Sequence, residues 1–237
     1  MQVELFGEAI SLRPTCECRI RELEEQEKQA RMNDLHEMIR QQGLADGLYA
    51  RMSLEQWECR DASCEEAVKK LASYLHSARH GARNWLYLFG SYGLGKTHLA
   101  VAALKSLCLE RQWEPLLLRW SEYCSRVQQS WHSSDADSEY HLWCRASSIT
   151  LLVVDDIDKR ASSEWSLGKL YELIEHRYMR QLPTILTANR SPESLSSYWG
   201  GNEQTRDLGG AIISRIIGQL SVLIEVSGHD YRLEVIR

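Results

Sequence analysis

Residues 90 to 97 read GSYGLGKT, a spacing of glycines ahead of a Lys-Thr pair that suits phosphate chemistry. It matches G-x-x-x-x-G-K-[ST] through Gly90, Gly95, Lys96 and Thr97. The backbone N–H groups of such a loop, which includes Ser91, Tyr92, Gly93 and Leu94, can point inward at phosphate oxygens. The helix that follows presents its positive dipole end to the same anion. Gly93 and Gly95 reach backbone angles closed to other residues. Lys96 is expected to reach the β- and γ-phosphates and Thr97 to hold Mg2+, with His98 next in the binding segment. The motif implies ATP and Mg2+ as ligands.

Three further stretches complete a candidate site. ITLLVVDDID (149–158) is an apolar strand ending in acids, and the carboxyl edge of an open α/β sheet is where ligands bind. Asp155 is expected to hold Mg2+, directly or through water, and Asp156 to orient or deprotonate an attacking water. Asn189 ends the strand in LTANR, where it can hydrogen-bond the attacking water or the γ-phosphate. AIISRII places Arg215 among isoleucines. It reads either as a buried ion-pair partner or as an arginine finger reaching a neighbouring subunit's ATP. Arg232, in HDYRLEV, reads either as an intramolecular γ-phosphate sensor or as a surface arginine.

These residues need a parallel sheet to bring them together. Apolar runs at 85–89, 115–120, 149–156, 183–188 and 221–226 read as strands. Between them lie helical patterns, from about residue 96, over about 163–181, and around 211–218. Leu167, Leu170, Tyr171, Ile174 and Tyr178 share one helix face. Apolar strands alternating with helices imply a five-stranded parallel sheet flanked by helices. Ser63 and Glu66 fit a capping box at a helix start. Residues 19–42 are densely charged and lack Gly and Pro, so they read as a helix that is either simply exposed or used for docking a partner. Gly43 and Gly47 mark a linker, which divides the chain into a helical region, 1–48, and an ATPase domain, 49–237.

With 237 residues, 43% hydrophobic and 26% charged, the chain is long enough for one sizeable core plus an appendage. No run approaches the roughly 18 apolar residues of a membrane helix. The N-terminus lacks a secretory pattern, so a cytoplasmic location without membrane partners is expected. Seven cysteines in such a chain are expected to be free thiols. Cys16, Cys18, Cys59 and Cys64 have spacings unlike those of compact zinc modules. The net charge of −5 argues against a constitutive DNA-coating protein and confines any nucleic-acid contact to a local patch.

The order of phosphate loop, VVDD, TAN and SRI resembles AAA+ ATPases. EWSLGKLYELIEHRYMRQLPTILTANRSPESL, YARMSLEQW and GGAIISRI resemble the corresponding stretches of DnaC/DnaI-type helicase loaders and of the related IstB transposition helpers. CECR ahead of a charged helix is similar to the N-terminal region of phage-type loaders. The resemblance implies an α/β core without a C-terminal helical lid, and assembly into a ring or spiral with ATP at each interface. It also implies an N-terminal grip on a DnaB-type replicative helicase and contact with single-stranded DNA through 121–148, where Arg126, Trp131 and Trp143 are the candidates. Asp156 stands where AAA+ proteins usually have Glu, which suits slow hydrolysis. The resemblance leaves two main roles, a helicase loader in DNA replication and an AAA+ transposition helper acting on duplex DNA. A nucleotide-binding adaptor without hydrolysis is a third.

Overall fold

The computed structural model describes residues 2–5, 8–11, 17–59, 62–79, 81, 83–130, 136–159, 163–228 and 230. A two-stranded antiparallel hairpin, β1 (Gln2–Leu5) and β2 (Glu8–Ser11), precedes the long helix α1 (Glu17–Gln41) and a single turn, α2 (Gly47–Ala50). Then come α3 (Ala62–Ser77), β3 (Trp85–Phe89), α4 (Lys96–Arg111), β4 (Pro115–Arg119), α5 (Trp120–Ser130) and α6 (Ala136–Ser148). The chain continues through β5 (Leu151–Asp155), α7 (Glu164–Met179), β6 (Thr184–Ala188), α8 (Pro192–Trp199), α9 (Glu203–Gln219) and β7 (Leu220–Glu225). No helix follows β7 among the described residues.

Strands β3 to β7 form the expected five-stranded parallel sheet in the order β4-β5-β6-β3-β7. The central strands β5 and β6 are buried at every position, which explains their unbroken apolar runs. Alternate residues feed two cores. Leu86, Leu88 and Val153 pack with Leu71 of α3 and with Leu99 and Leu104 of α4. Trp85, Tyr87, Val154 and Leu186 pack with Trp120 of α5, Leu170 and Ile174 of α7, and Ile212 of α9. Alanines 100, 102 and 103 are all buried, and their small side chains let α4 lie close to the sheet.

Local chemistry sets the helix starts. Ser163 and Ser191 accept from the backbone N–H groups of Ser166 and Ser194 at the starts of α7 and α8. Asn202 and Thr205 form a reciprocal cap on α9. That helix starts well before the expected position because Gly209 and Gly210 do not break it. A Cβ on Gly209 would lie 3.3 Å from that of Trp199, so the glycine permits close packing of α9 on α8. Helix α3 begins at Ala62, and the Ser63 hydroxyl donates to Ser227 O at 3.3 Å.

The N-terminal region contains the expected helix and also a hairpin that the sequence pattern does not suggest. Residues 19–34 of α1 are almost all exposed, whereas Leu35, Ile39 and Leu44 are buried in the same core as α4. The Gln42 side chain clips the edge of the sheet by donating to Pro115 O and accepting from the N–H of Leu117, at 2.7 and 2.9 Å.

Arg177 of α7 is fully buried. It donates to Thr184 Oγ1 and to the carbonyls of Ala146, Ile149, Thr150 and Pro183. Burial pushes its pKa down to about 9, still above neutral pH. The guanidinium gathers these four carbonyls around one donor group and so ties together the turns on which β5 and β6 begin.

Candidate nucleotide site

The phosphate loop leaves the buried strand β3 at Gly90 and enters α4 at Lys96. Gly90 has φ 145°, and a Cβ there would lie 2.0 Å from Val226 O, so no other residue fits beside the end of β7. Gly95 has φ 86°, and a Cβ there would lie 2.4 Å from the Trp57 ring. The Lys96 side chain is folded back over the loop and donates to Gly90 O and Ser91 O at 2.9 and 2.7 Å. Burial pushes the Lys96 ammonium down, and Asp156, Asp158 and Asp155 push it back up. A phosphate anion would offer this cation stronger partners than two carbonyl oxygens.

Thr97 donates to Asp155 at 3.0 Å, and Thr187 of β6 donates to the same carboxylate at 2.7 Å. The Thr187 oxygen in turn accepts from the Asp156 N–H at 2.8 Å. Asp155 is 3% exposed, and burial pushes its carboxyl above the ordinary value. A nearly buried carboxylate beside a hydroxyl suits a hard divalent cation that keeps several waters. The donor set therefore fits Mg2+, which Thr97 and Asp155 would hold.

Asp156 has φ 58°, a left-handed angle that turns the chain out of β5, and its carboxylate meets Lys159 Nζ at 2.5 Å. Asn189 ends β6 beside it. Its backbone N–H and its side-chain amide both donate to Asp158, at 2.9 Å and at 3.0 and 3.2 Å. Lys96, Thr97, Asp156 and Asn189 thus face one cavity of about 300 Å³, together with Tyr92, Gly93, Gly95 and His98 of the loop segment. Trp57, Met52 and Leu48 form an apolar part of its wall. Trp57 meets the His98 ring edge-on at 5.1 Å, and His98 Nε2 lies 2.8 Å from Ser53 O. His98 thus braces the segment that carries Trp57.

One candidate lies elsewhere. Arg215 of α9 is not part of this cavity. It is ion-paired with Glu175 of α7, donates to Tyr171 Oη and Ala211 O at 3.0 Å each, and lies 4.8 Å from the Tyr171 ring centre. Arg232 lies outside the described residues, as do Trp131 and Cys16. Trp143 packs edge-on against His176 at 5.3 Å, which makes it part of the α6–α7 contact. Arg126 lines a second cavity of about 390 Å³ at the free edge of β4, with Arg119 and Arg145. Among the described residues, no helix is long and apolar enough to cross a membrane and no group of three or more His, Cys, Asp or Glu side chains forms a metal cluster.

Sequence reasoning assigns no site role to Trp57, Asp158, Lys159 or Thr187. The repeated acids of DDID hint at Asp158. Trp57 sits in YARMSLEQW, a stretch singled out only for its likeness to loaders.

A five-stranded parallel sheet carrying a phosphate loop, with Thr97 against Asp155 and with Asp156 and Asn189 on adjacent strand ends, defines an AAA+ P-loop ATPase. The chain belongs to the family of IstB-like ATP binding proteins, which it matches over residues 8–237. It is 24% identical over 208 residues to the replicative helicase loader DnaI of Bacillus subtilis, covering 84% of this chain and 65% of DnaI. It is 29% identical over 171 residues to the chromosomal replication initiator DnaA of Acinetobacter baumannii, covering 72% of this chain and 34% of that protein. The chain thus spans just under two thirds of the one relative's length and about a third of the other's. Among solved structures, the DnaC helicase loader superposes with a TM-score of 0.62 at 22% identity, over 74% of this chain and 97% of the other. DnaI superposes with a TM-score of 0.61 at 21% identity, over 75% and 89%.

Proposed function

We propose that the protein is an ATP-dependent helicase loader in DNA replication, an assembly switch that delivers a DnaB-type replicative helicase to single-stranded DNA. The observation that carries this reading is the division of its charges. Lys96, Thr97, Asp156 and Asn189 gather at one cavity, with Asp155 hydrogen-bonded to Thr97 behind it, while Arg215 is held outside it on α9. A subunit built this way binds ATP alone and hydrolyses it when a neighbour's Arg215 completes the site.

In the bound state the purine lies against Trp57 and Met52, and Lys96 leaves the loop carbonyls for the β- and γ-phosphates. Thr97 and Asp155 would hold Mg2+, which would neutralise charge at the phosphates. Asp156 and Asn189 orient the attacking water. Its oxygen bonds to the γ-phosphorus, one proton passes to Asp156, and the bond to the bridging oxygen breaks with its electron pair leaving on ADP. Asp156 is shorter than the usual Glu and is held by Lys159, which accords with slow, assembly-dependent turnover. Arg126 and Arg145, beside Arg119 and its ion-pair partner Glu122, are the proposed contacts for DNA phosphates in an otherwise acidic chain. Arg232 is assigned as a γ-phosphate sensor by sequence position alone. Residues 1–48 grip the helicase, 49–237 form the ATPase, subunits assemble as a ring or spiral, and the protein works in the cytoplasm.

The test is to mix the full chain with the replicative helicase of its host, with and without ATP, and to weigh any complex by light scattering. A stoichiometric complex supports the loader. The family match favours one second reading, an IstB-like transposition helper. Filaments on duplex DNA, with no helicase complex in any nucleotide state, would decide for it.

A further inference from the structure

Asp158 belongs to neither the phosphate loop nor the metal pair, yet it is 6% exposed and packed against the end of β6. Both of its carboxylate oxygens meet donors of one residue, Asn189. Oδ2 accepts from the backbone N–H at 2.9 Å, and the side-chain amide nitrogen lies 3.0 and 3.2 Å from Oδ2 and Oδ1. The Ile157 N–H donates to Thr187 O at 3.0 Å, so the turn carrying Asp158 is fixed to the same strand. A carboxylate can only accept hydrogen bonds, whereas an asparagine amide has one donating and one accepting end. Turning the amide over would set its oxygen about 3 Å from two carboxylate oxygens, so the chemistry of Asp158 decides which end faces the cavity.

We propose that Asp158 is a positioning residue that locks the Asn189 amide with its carbonyl oxygen toward the nucleotide, so that Asn189 works as a hydrogen-bond acceptor for the attacking water. The inference rests on the ATPase reading above and refines it. A water facing two acceptors, Asp156 and Asn189 Oδ1, directs both protons away from phosphorus and a lone pair toward it. An asparagine presenting N–H instead would bind a γ-phosphate oxygen and leave one proton of the water undirected. The two arrangements use the same residue and differ only in what stands behind it.

The test is a swap in the full-length protein under the conditions in which the wild type hydrolyses ATP. Asp158→Asn sets two amides face to face and lets Asn189 turn over. kcat is expected to fall about tenfold, as orientation losses of this size do, with KM and the affinity for a fluorescent ATP analogue within about twofold of wild type. Asn189→Asp sets two carboxylates face to face and is expected to lower both kcat and Tm. The double variant, Asp158→Asn with Asn189→Asp, exchanges the two groups. Its amide at position 158 can donate to the carboxylate at position 189 and accept from the backbone N–H there, which restores the pairing and returns an acceptor to the cavity. Recovery of kcat and Tm together, with recovered binding of ADP–aluminium fluoride, supports the proposal. Recovery of Tm without kcat overturns it, because Asp158 would then serve only the fold. Wild-type kcat in Asp158→Asn overturns it as well, even if the double variant fails to fold. Failure of the ATPase reading has a separate signature, a wild type that binds ATP and never turns it over in any assembly.

Discussion

At the carboxyl edge of the sheet, Lys96, Thr97 and Asp156 are each held by a neighbour from their own chain and still face a cavity. On the α7/α9 face, Arg215 is held by Glu175, Tyr171 and Ala211 yet stays outside that cavity. On the proposed reading, the first arrangement exchanges weak internal partners for phosphate oxygens when ATP and Mg2+ bind, and the second keeps a guanidinium oriented and paired until a neighbour presents a phosphate to it. Binding and hydrolysis would then depend on different regions, and substitutions should separate them.

The sharpest division is expected at Arg215. Arg215→Ala should leave nucleotide affinity unchanged and lower hydrolysis in the assembled state by about 10³-fold, the scale of an arginine finger. Mixing it with Lys96→Ala provides the stronger test. One variant binds ATP without a finger and the other offers a finger without binding ATP. A mixture that hydrolyses more than the sum of its parts places Arg215 at a neighbour's site. If the mixture stays inactive while both variants still co-assemble, Arg215 is only an α7–α9 ion pair.

Lys96→Ala is expected to act on the other region. Removing charge-assisted hydrogen bonds worth about 3 kcal/mol corresponds to roughly a 100-fold loss of affinity at about 1.4 kcal/mol per decade. Titration with a fluorescent ATP analogue measures it. An affinity near wild type would mean that the lysine stays on Gly90 O and Ser91 O when nucleotide is present.

Glu175→Gln should have a smaller effect. The pair is about a quarter to a third exposed, and Tyr171 and Ala211 still hold the guanidinium. Such pairs are worth up to about 1 kcal/mol, so assembled hydrolysis should change by no more than about fivefold. A loss as large as that of Arg215→Ala would mean that Glu175 sets the finger's direction.

The same two regions differ in how far they can be read from sequence. The phosphate loop and the acidic strand end are short covalent patterns, and the sheet that positions them follows from unbroken apolar runs of about five or six residues. Asp155, Asp156, Asn189 and the order of elements are therefore legible. What holds these residues is not. Asp158 meets Asn189 across 31 positions, Thr187 meets Asp155 across 32, and Trp57 lies against Gly95. Such pairings depend on how strands align, which local patterns do not encode. Helix α9 extends back through Gly209, where Trp199 packs against the missing side chain, a contact that local pattern does not show. Arg215 stays ambiguous because residue type and spacing cannot distinguish a stored finger from a buried ion pair.

The smallest expected effect concerns stability and comes from Asp155. Burial pushes its carboxyl up, and Asp156 adds to the rise, while the hydroxyls of Thr187 and Thr97 pull it back. A folded-state pKa above the unfolded value means that the folded chain holds the proton more tightly. Stability then falls as pH rises from the ordinary carboxylate range through the raised value. Asp155→Asn removes that cost. Without nucleotide its Tm should exceed that of wild type at neutral pH. The difference should shrink as pH is lowered through the carboxylate range. With ATP and Mg2+ the order should reverse, because only the carboxylate gains from the cation. Arg215 has its charge balanced by Glu175, so Arg215→Ala should lower the resting Tm instead. Calorimetry of both variants between about pH 4 and 8 checks the contrast. A lower resting Tm for Asp155→Asn at neutral pH would show that the hydrogen bonds from Thr97 and Thr187 outweigh the burial of the charge.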